Sequence, residues 1–308
     1  MNCTACGSLN TRSLGVYRPY TDYSVEVSEC NECGARFVPR DSQAHELLHS
    51  RPSSYSSHSA IAERARTLVA DQNTEGLRGF LGKRNANLLV MNEVDELVAG
   101  ARILEIGCSK GYLTAYSIAK KLDILGVDVS PTAVADARGS FGDFFCVAED
   151  SRIEAGAPYD LIYHVGTIGC VDDPAAMTRS LLGMLKTGGK LVFNAPNVNA
   201  CHATGRMWLT TPPPDLVTLF KPEYWASNFQ DLATTKISTL KANRSTKVAA
   251  LRQARQSDAK TALLNEQHSR TRPSTIRNLV RRLSAARLLL FSKDLPHDYG
   301  IHVTMCRK

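Results

Sequence analysis

Residues 102–130, RILEIGCSKGYLTAYSIAKKLDILGVDVS, constrain the fold more than any other stretch of the chain. The apolar run Ile103, Leu104 and Ile106 leads into a glycine loop at 107–111. An amphipathic segment follows. A second apolar run, Ile124, Leu125 and Val127, then ends in Asp128. The pattern predicts strand, tight turn, helix and strand, with an acid near the tip of each strand (Glu105 and Asp128). Such a unit holds a nucleotide-like ligand at the carboxyl edge of a parallel sheet.

The loop narrows the ligand. A dinucleotide site needs three glycines, G-x-G-x-x-G, so that backbone amides can approach a pyrophosphate. With Gly107 as the first, Ser109 and Tyr112 stand at the other two places. A phosphate-binding P-loop fails too, because Lys110 is not followed by Ser or Thr. Glu105 repels an anion and attracts a cation. Asp128 lies 17 residues beyond Gly111, near the spacing of a ribose-binding acid. Both acids suit a ligand with a ribose, a positive charge and no phosphate. S-adenosylmethionine (SAM) has that chemistry.

Over residues 85–230 the chain resembles the class I SAM-dependent methyltransferases. LEIGCSKG is similar to the family's first motif, with Lys110 where a small residue is usual. GVDVSP (126–131), CVAEDS (146–151), YDLIYHVGTIGCVDDP (159–174) and LKTGGKLVFNAPN (185–197) follow in the family's order. The resemblance implies an α/β fold: a Rossmann-like, seven-stranded, doubly wound sheet whose last strand returns antiparallel. It also implies that Glu105, Gly107, Cys108, Ser109 and Gly111 line the amino-acid end of SAM. Asp128 and Val129 would meet the ribose, and Glu149 or Asp150 would lie by the adenine.

Ahead of this core, Cys3-x-x-Cys6 and Cys30-x-x-Cys33 are separated by 23 residues, and a glycine follows each pair. Four thiolates on two tight turns satisfy a tetrahedral Zn²⁺ with no open position, so the expected metal is structural. The stretch between the pairs reads as two short strands, and the whole as a zinc ribbon. Disulfides and a redox CxxC are the alternatives. Nine cysteines without a secretory signal point to a reducing cytoplasm. The continuation Phe37, Val38, Pro39, Arg40, then a short helix and Tyr55, is similar to bacterial methyltransferases of secondary-metabolite and glycan pathways. In such families this segment often covers the substrate pocket. Residues 61–99 read as helices from their three- and four-residue apolar spacing.

Methyl transfer from a sulfonium needs a base only when the acceptor must lose a proton. His164, just past the apolar run of the fourth core strand, is the candidate base. Relatives often carry Glu-His shortly before the Asp-Pro of this loop. Here Gly169 and Cys170 stand there, which weakens any carry-over of their mechanism. In 194–229, Asn194, Asn197, His202, Trp208 and Tyr224 join Tyr55 as candidates for the substrate pocket, and Asp215 replaces a usual histidine.

Net charge is +7, and its excess lies in one place: residues 236–293 hold 14 Lys/Arg against two Asp/Glu. That segment reads as a helical basic insertion, and a lid or dimer arm is the favoured role. No 18-residue apolar run is present, so no membrane span is expected. The expected organisation is a zinc ribbon at 1–40 and a linker with N-terminal helices at 41–99. The SAM-binding core follows at 100–235, the insertion at 236–293 and the last strand at 294–308. The expected function is O- or N-methylation of a small molecule such as a secondary-metabolite intermediate or a sugar. A nucleic-acid partner, as in an RNA methyltransferase, is less favoured, and a SAM cyclase that releases methylthioadenosine is the other alternative.

Overall fold

The chain is described by a computed structural model over residues 1–20, 23–41, 43–44, 56–209, 211–238 and 300–308. Strands β1 (Thr11–Tyr20) and β2 (Tyr23–Cys30) form an antiparallel hairpin between the two cysteine pairs. β3 (Arg36–Phe37) pairs with β2. Its other edge is taken by β9 (Thr218–Leu219), so the ribbon sheet is completed by chain from far downstream. Val25, Val27 and Val38 share one apolar cluster with Val198, Trp208, Leu216 and Leu219, which binds the two parts side by side.

Helices α1 (Ser56–Ala70), α2 (Thr74–Leu81) and α3 (Asn85–Asp95) fulfil the helical expectation for 61–99. Asn73 caps α2 by accepting from the Gly76 amide at 2.8 Å. The core then alternates: β4 (Arg102–Ile106), α4 (Thr114–Ala119), β5 (Asp123–Asp128), α5 (Pro131–Phe141), β6 (Phe145–Val147), α6 (Arg152–Ala155), β7 (Tyr159–His164), α7 (Pro174–Gly183) and β8 (Leu185–Pro196). Ser130-Pro131 and Asp173-Pro174 start α5 and α7, each with a side-chain cap followed by proline at the first helical position. After β8 come α8 (Val198–Thr204), β9, α9 (Glu223–Asn228), β10 (Ala233–Ser238) and β11 (Gly300–Arg307).

Strand order in the large sheet is β10-β11-β8-β7-β4-β5-β6. β4 to β8 pair in parallel, and β11 runs antiparallel to both neighbours, as expected of the last strand. The parallel strands are covered on both faces, which is why they read as unbroken apolar runs. Ile103, Leu161, Tyr163 and Val192 pack under α1 to α5. Leu104, Ile162, Leu191 and Phe193 face the other layer, with Leu181, Trp225 and Phe229. Each such buried side chain contributes about 1.5–3 kcal/mol. Among the described residues no helix is long and apolar enough to cross a membrane. Most of the basic insertion at 236–293 lies outside the described residues, and its first three belong to β10.

Candidate active site

The loops after β4, β5 and β7 and the end of β8 converge at the carboxyl edge of the sheet, where open α/β sheets hold ligands. In the glycine loop, Gly107 and Gly111 adopt φ of +74°. A Cβ would lie 2.4 Å from Thr167 Oγ1 at the first and 2.5 Å from Phe145 at the second, so neither position admits a side chain. The loop's amides turn inward. Gly107 and Cys108 donate to the Val127 carbonyl at 2.7 and 2.9 Å, and Gly111 to that of Cys108 at 2.9 Å. Ser109, left-handed at φ 50°, donates to Asp128 Oδ2 at 2.8 Å. These amides are thus spent within the protein and present no cradle to a phosphate. Lys110 is ion-paired with Asp136 on α5 at 2.9 Å.

Asp128 also accepts from the Ser130 amide at 2.9 Å. Each carboxylate oxygen keeps a second lone pair, enough to receive two hydroxyls of a diol. Val129 beside it is 81% exposed, an apolar patch that the flat face of a base would cover. Glu149 is exposed on the turn after β6. The Asp150 carboxylate is engaged by Arg152, through its amide at 2.9 Å and its guanidinium. These features fit a phosphate-free ribonucleoside.

Glu105 departs from the expected placement. It lies beneath the loop, buried, and accepts from the hydroxyls of Thr114 at 2.5 Å and Tyr163 at 3.0 Å. Burial pushes its carboxyl up to about 7 against the opposing pull of those two hydroxyls. Its influence on a ligand is therefore a field from below rather than a contact at the surface. Cys108 likewise buries its side chain in the helical layer, so only its backbone is left to the loop.

His164 corrects the sequence reading. It is the last residue of β7, two beyond Ile162 on the same face, and is fully buried. Its ring stacks on Phe193 with centroids 4.6 Å apart, and among the described residues neither ring nitrogen has a hydrogen-bond partner. Burial lowers its pKa to about 3, and the ring has no exposed surface. Beyond it, Gly166 donates to Asn194 Oδ1 at 2.8 Å, which fixes Asn194 at the rim of the site. The Gly169 departure has a steric cause: a Cβ there would lie 2.3 Å from Leu216 Cδ1. Cys170 is mostly buried, and burial lifts its thiol to about 12, so it is no thiolate nucleophile.

The other pocket candidates mostly serve the ribbon, a second correction. His202 Nε2 meets Glu29 Oε2 on β2 at 2.9 Å. Arg36 joins the same carboxylate at 2.9 Å and also donates to the carbonyls of Arg206 and Met207. Asn197 is buried and caps α8 through the Asn199 amide. Trp208 is buried in the shared apolar cluster, with Nε1 on the Thr211 carbonyl at 3.1 Å. Tyr224 is buried and donates to the Ala5 carbonyl at 2.6 Å. Asn194 alone of these described candidates stays at the sheet edge, and Tyr55 lies outside the described residues.

Cys3, Cys6, Cys30 and Cys33 bring their sulfurs within 4.8 Å of one another. The cross-pair distances, Cys3 to Cys33 and Cys6 to Cys30, are 3.6 Å. That is far beyond a disulfide bond and close to the edge of a tetrahedron with Zn–S bonds of about 2.3 Å. The donor set fits a structural Zn²⁺.

One site residue escaped the sequence reading. His58, in the first turn of α1, brings Nδ1 within 3.3 Å of Ser109 Oγ and sets its ring edge-on to Tyr112. The available signal was a histidine opening a helical stretch directly after a Ser-rich linker. Spacing alone could not aim it at a loop 51 residues away.

A family model described as a methyltransferase domain matches residues 77–238, more than half of the chain. The chain is 30% identical over 129 residues to the ubiquinone biosynthesis O-methyltransferase of Pseudomonas savastanoi pv. phaseolicola, covering 39% of this chain and 56% of that protein. To the protein of that name in Xylella fastidiosa it is 31% identical over 107 residues, covering 32% and 44%. The chain thus spans about half the length of the curated relatives it matches. Among solved structures, the plantazolicin methyltransferase BpumL, in complex with a monoazolic desmethylPZN analog and SAH, superposes with a TM-score of 0.45 at 13% identity, covering 86% of this chain and 94% of that one. A SAM-dependent methyltransferase from Archaeoglobus fulgidus gives 0.44 at 15% identity, covering 72% and 92%.

Proposed function

The chain belongs to the methyltransferase domain family, and from that premise we propose that it is a SAM-dependent enzyme methylating a hydroxyl or amine of a small molecule. The observation that carries this reading is the glycine loop. Its amides at Gly107, Cys108, Ser109 and Gly111 are all engaged within the protein, so these four are not offered to a nucleotide phosphate. The half-exposed Asp128 places a carboxylate on this edge, and the buried Glu105, which ionises near 7, adds negative charge as it loses its proton, which favours a cation. Asp128 would hold the ribose hydroxyls, Val129 would cover one face of the adenine, and Glu149 is the exposed acid at its rim. Glu105 supports the loop from beneath.

When bound, SAM supplies an electrophilic methyl on a sulfonium that departs as a neutral thioether. This chain's residues have the rest of the work: to aim the acceptor, exclude water and receive a proton. Asn194, held by the Gly166 amide, is placed to orient a polar acceptor at the end of β8. Hydroxyl acceptors are favoured by the likeness to the curated relatives, which are named as O-methyltransferases.

The test is calorimetry with SAM, followed by incubation of SAM with a panel of phenols, sugars and amines and mass spectrometry of the products. Expected are SAM affinity, S-adenosylhomocysteine, and a product heavier by one methylene. Release of methylthioadenosine without a methylated product, or no affinity for SAM, would overturn the reading.

A further inference from the structure

The first turn of α1 lies over the glycine loop, and His58 is the side chain it sets against Ser109 and Tyr112. Ser109 is also the residue whose amide binds Asp128. The imidazole is therefore linked through one serine to the acid that would hold the ribose. Charged groups act on the ring from three directions: Lys110 from the loop, Arg84 from the start of α3, and Asp215 from the segment ahead of β9. Asp215 belongs to the stretch that follows β8, whose end carries Asn194. His58 thus stands between the loop that would hold the donor and the segment that borders the acceptor.

We propose that His58 is the acid–base residue at the reacting end of the donor site, where its neutral imidazole takes the proton of a hydroxyl or amine acceptor. This rests on the reading of the chain as a SAM-dependent methyltransferase. As the acceptor bonds to the methyl carbon, the carbon–sulfur bond breaks and its electron pair stays on sulfur. The acceptor's proton passes to the imidazole, which returns it to solvent. Burial, with Arg84 and Lys110, lowers the pKa of His58, and Asp215 opposes them. The ring is accordingly neutral at pH 7 and ready to accept a proton. The fully enclosed His164 has no route to this role.

The placement can be tested without knowing the natural acceptor. SAM carries a sulfonium and S-adenosylhomocysteine does not, so a protonated His58 near the reacting end opposes only the former. Calorimetry of both ligands from pH 8 to pH 5 should show the SAM preference falling by roughly 5–10-fold in the wild type. In His58→Gln the fall should be clearly smaller, leaving only the part due to Glu105, which ionises near 7 and is common to both proteins. Equal slopes in wild type and variant overturn the proposal. Absence of affinity for either ligand in the wild type overturns the proposed function itself. With catechol as probe acceptor, His58→Gln should lose about 100-fold or more of the single-turnover rate while keeping its SAM affinity. An undiminished rate in the variant also overturns the proposal.

Discussion

The hydroxyl of Tyr224 on α9 donates to the main-chain carbonyl of Ala5 at 2.6 Å, between the two cysteines of the first zinc knuckle. A helix of the catalytic core thus holds the backbone of the metal site. Tyr224→Phe keeps the ring among Phe220, Trp225 and Phe229 but leaves that carbonyl without its donor. Stability should fall by about 1–2 kcal/mol in urea melts, and a chelator should strip Zn²⁺ faster. SAM affinity should be unchanged, because Tyr224 and Ala5 pack in one apolar cluster and the loop residues Cys108 and Leu113 in another. Unaltered metal release would show that the contact does not support the knuckle.

Glu105 gives a stability that depends on pH. Its carboxyl ionises near 4.5 as a free group and near 7 in the fold, so folding favours the protonated form. The resulting stabilisation is fully present below about 4.5 and is lost as pH rises through about 7. Between those limits the ligand-free wild type should lose up to about 3 kcal/mol relative to Glu105→Gln. Urea melts of both proteins at pH 5 and pH 8 measure the difference, and parallel curves would reject it.

Asp128→Ala removes the acceptor for the ribose hydroxyls and the partner of the Ser109 amide. SAM affinity should drop by at least about 100-fold, as expected for losing two hydrogen bonds to a charged group. Circular dichroism should be unchanged. Calorimetric affinity within a few fold of the wild type would place the ribose elsewhere.

His164→Phe should keep SAM affinity and should not lower the melting temperature. The imidazole buries two polar nitrogens without partners among the described residues, and phenylalanine preserves the stack on Phe193 while removing them. Loss of SAM binding in this variant would give His164 a part in the donor site after all.

What could be read from the sequence follows the range of the interactions. β4, the glycine loop and β5 were legible because apolar runs buried on both faces and glycines at forced φ leave a local pattern. The zinc ligands were legible because tetrahedral sulfur ligation imposes a short spacing within each pair. The roles of His202 and Tyr224 were not, because their partners lie 173 and 219 residues away, at Glu29 and Ala5. A tyrosine or histidine after the fifth core strand reads equally well as pocket or as brace. His164 differs from its sequence reading by one step of strand alternation: it stands just past the apolar run, yet it is the last inward residue of β7.

The pairing of Phe37 with Thr218 sets a timetable for synthesis. The ribbon's first strands leave the ribosome early, yet the strand that covers the edge of β3 is made about 180 residues later. At 5–20 residues per second that interval is roughly 10–40 s. Throughout it, the nascent ribbon carries an unpaired strand edge and an apolar face awaiting Leu216 and Leu219. The four metal ligands, all within residues 3–33, are by contrast complete long before that partner is made.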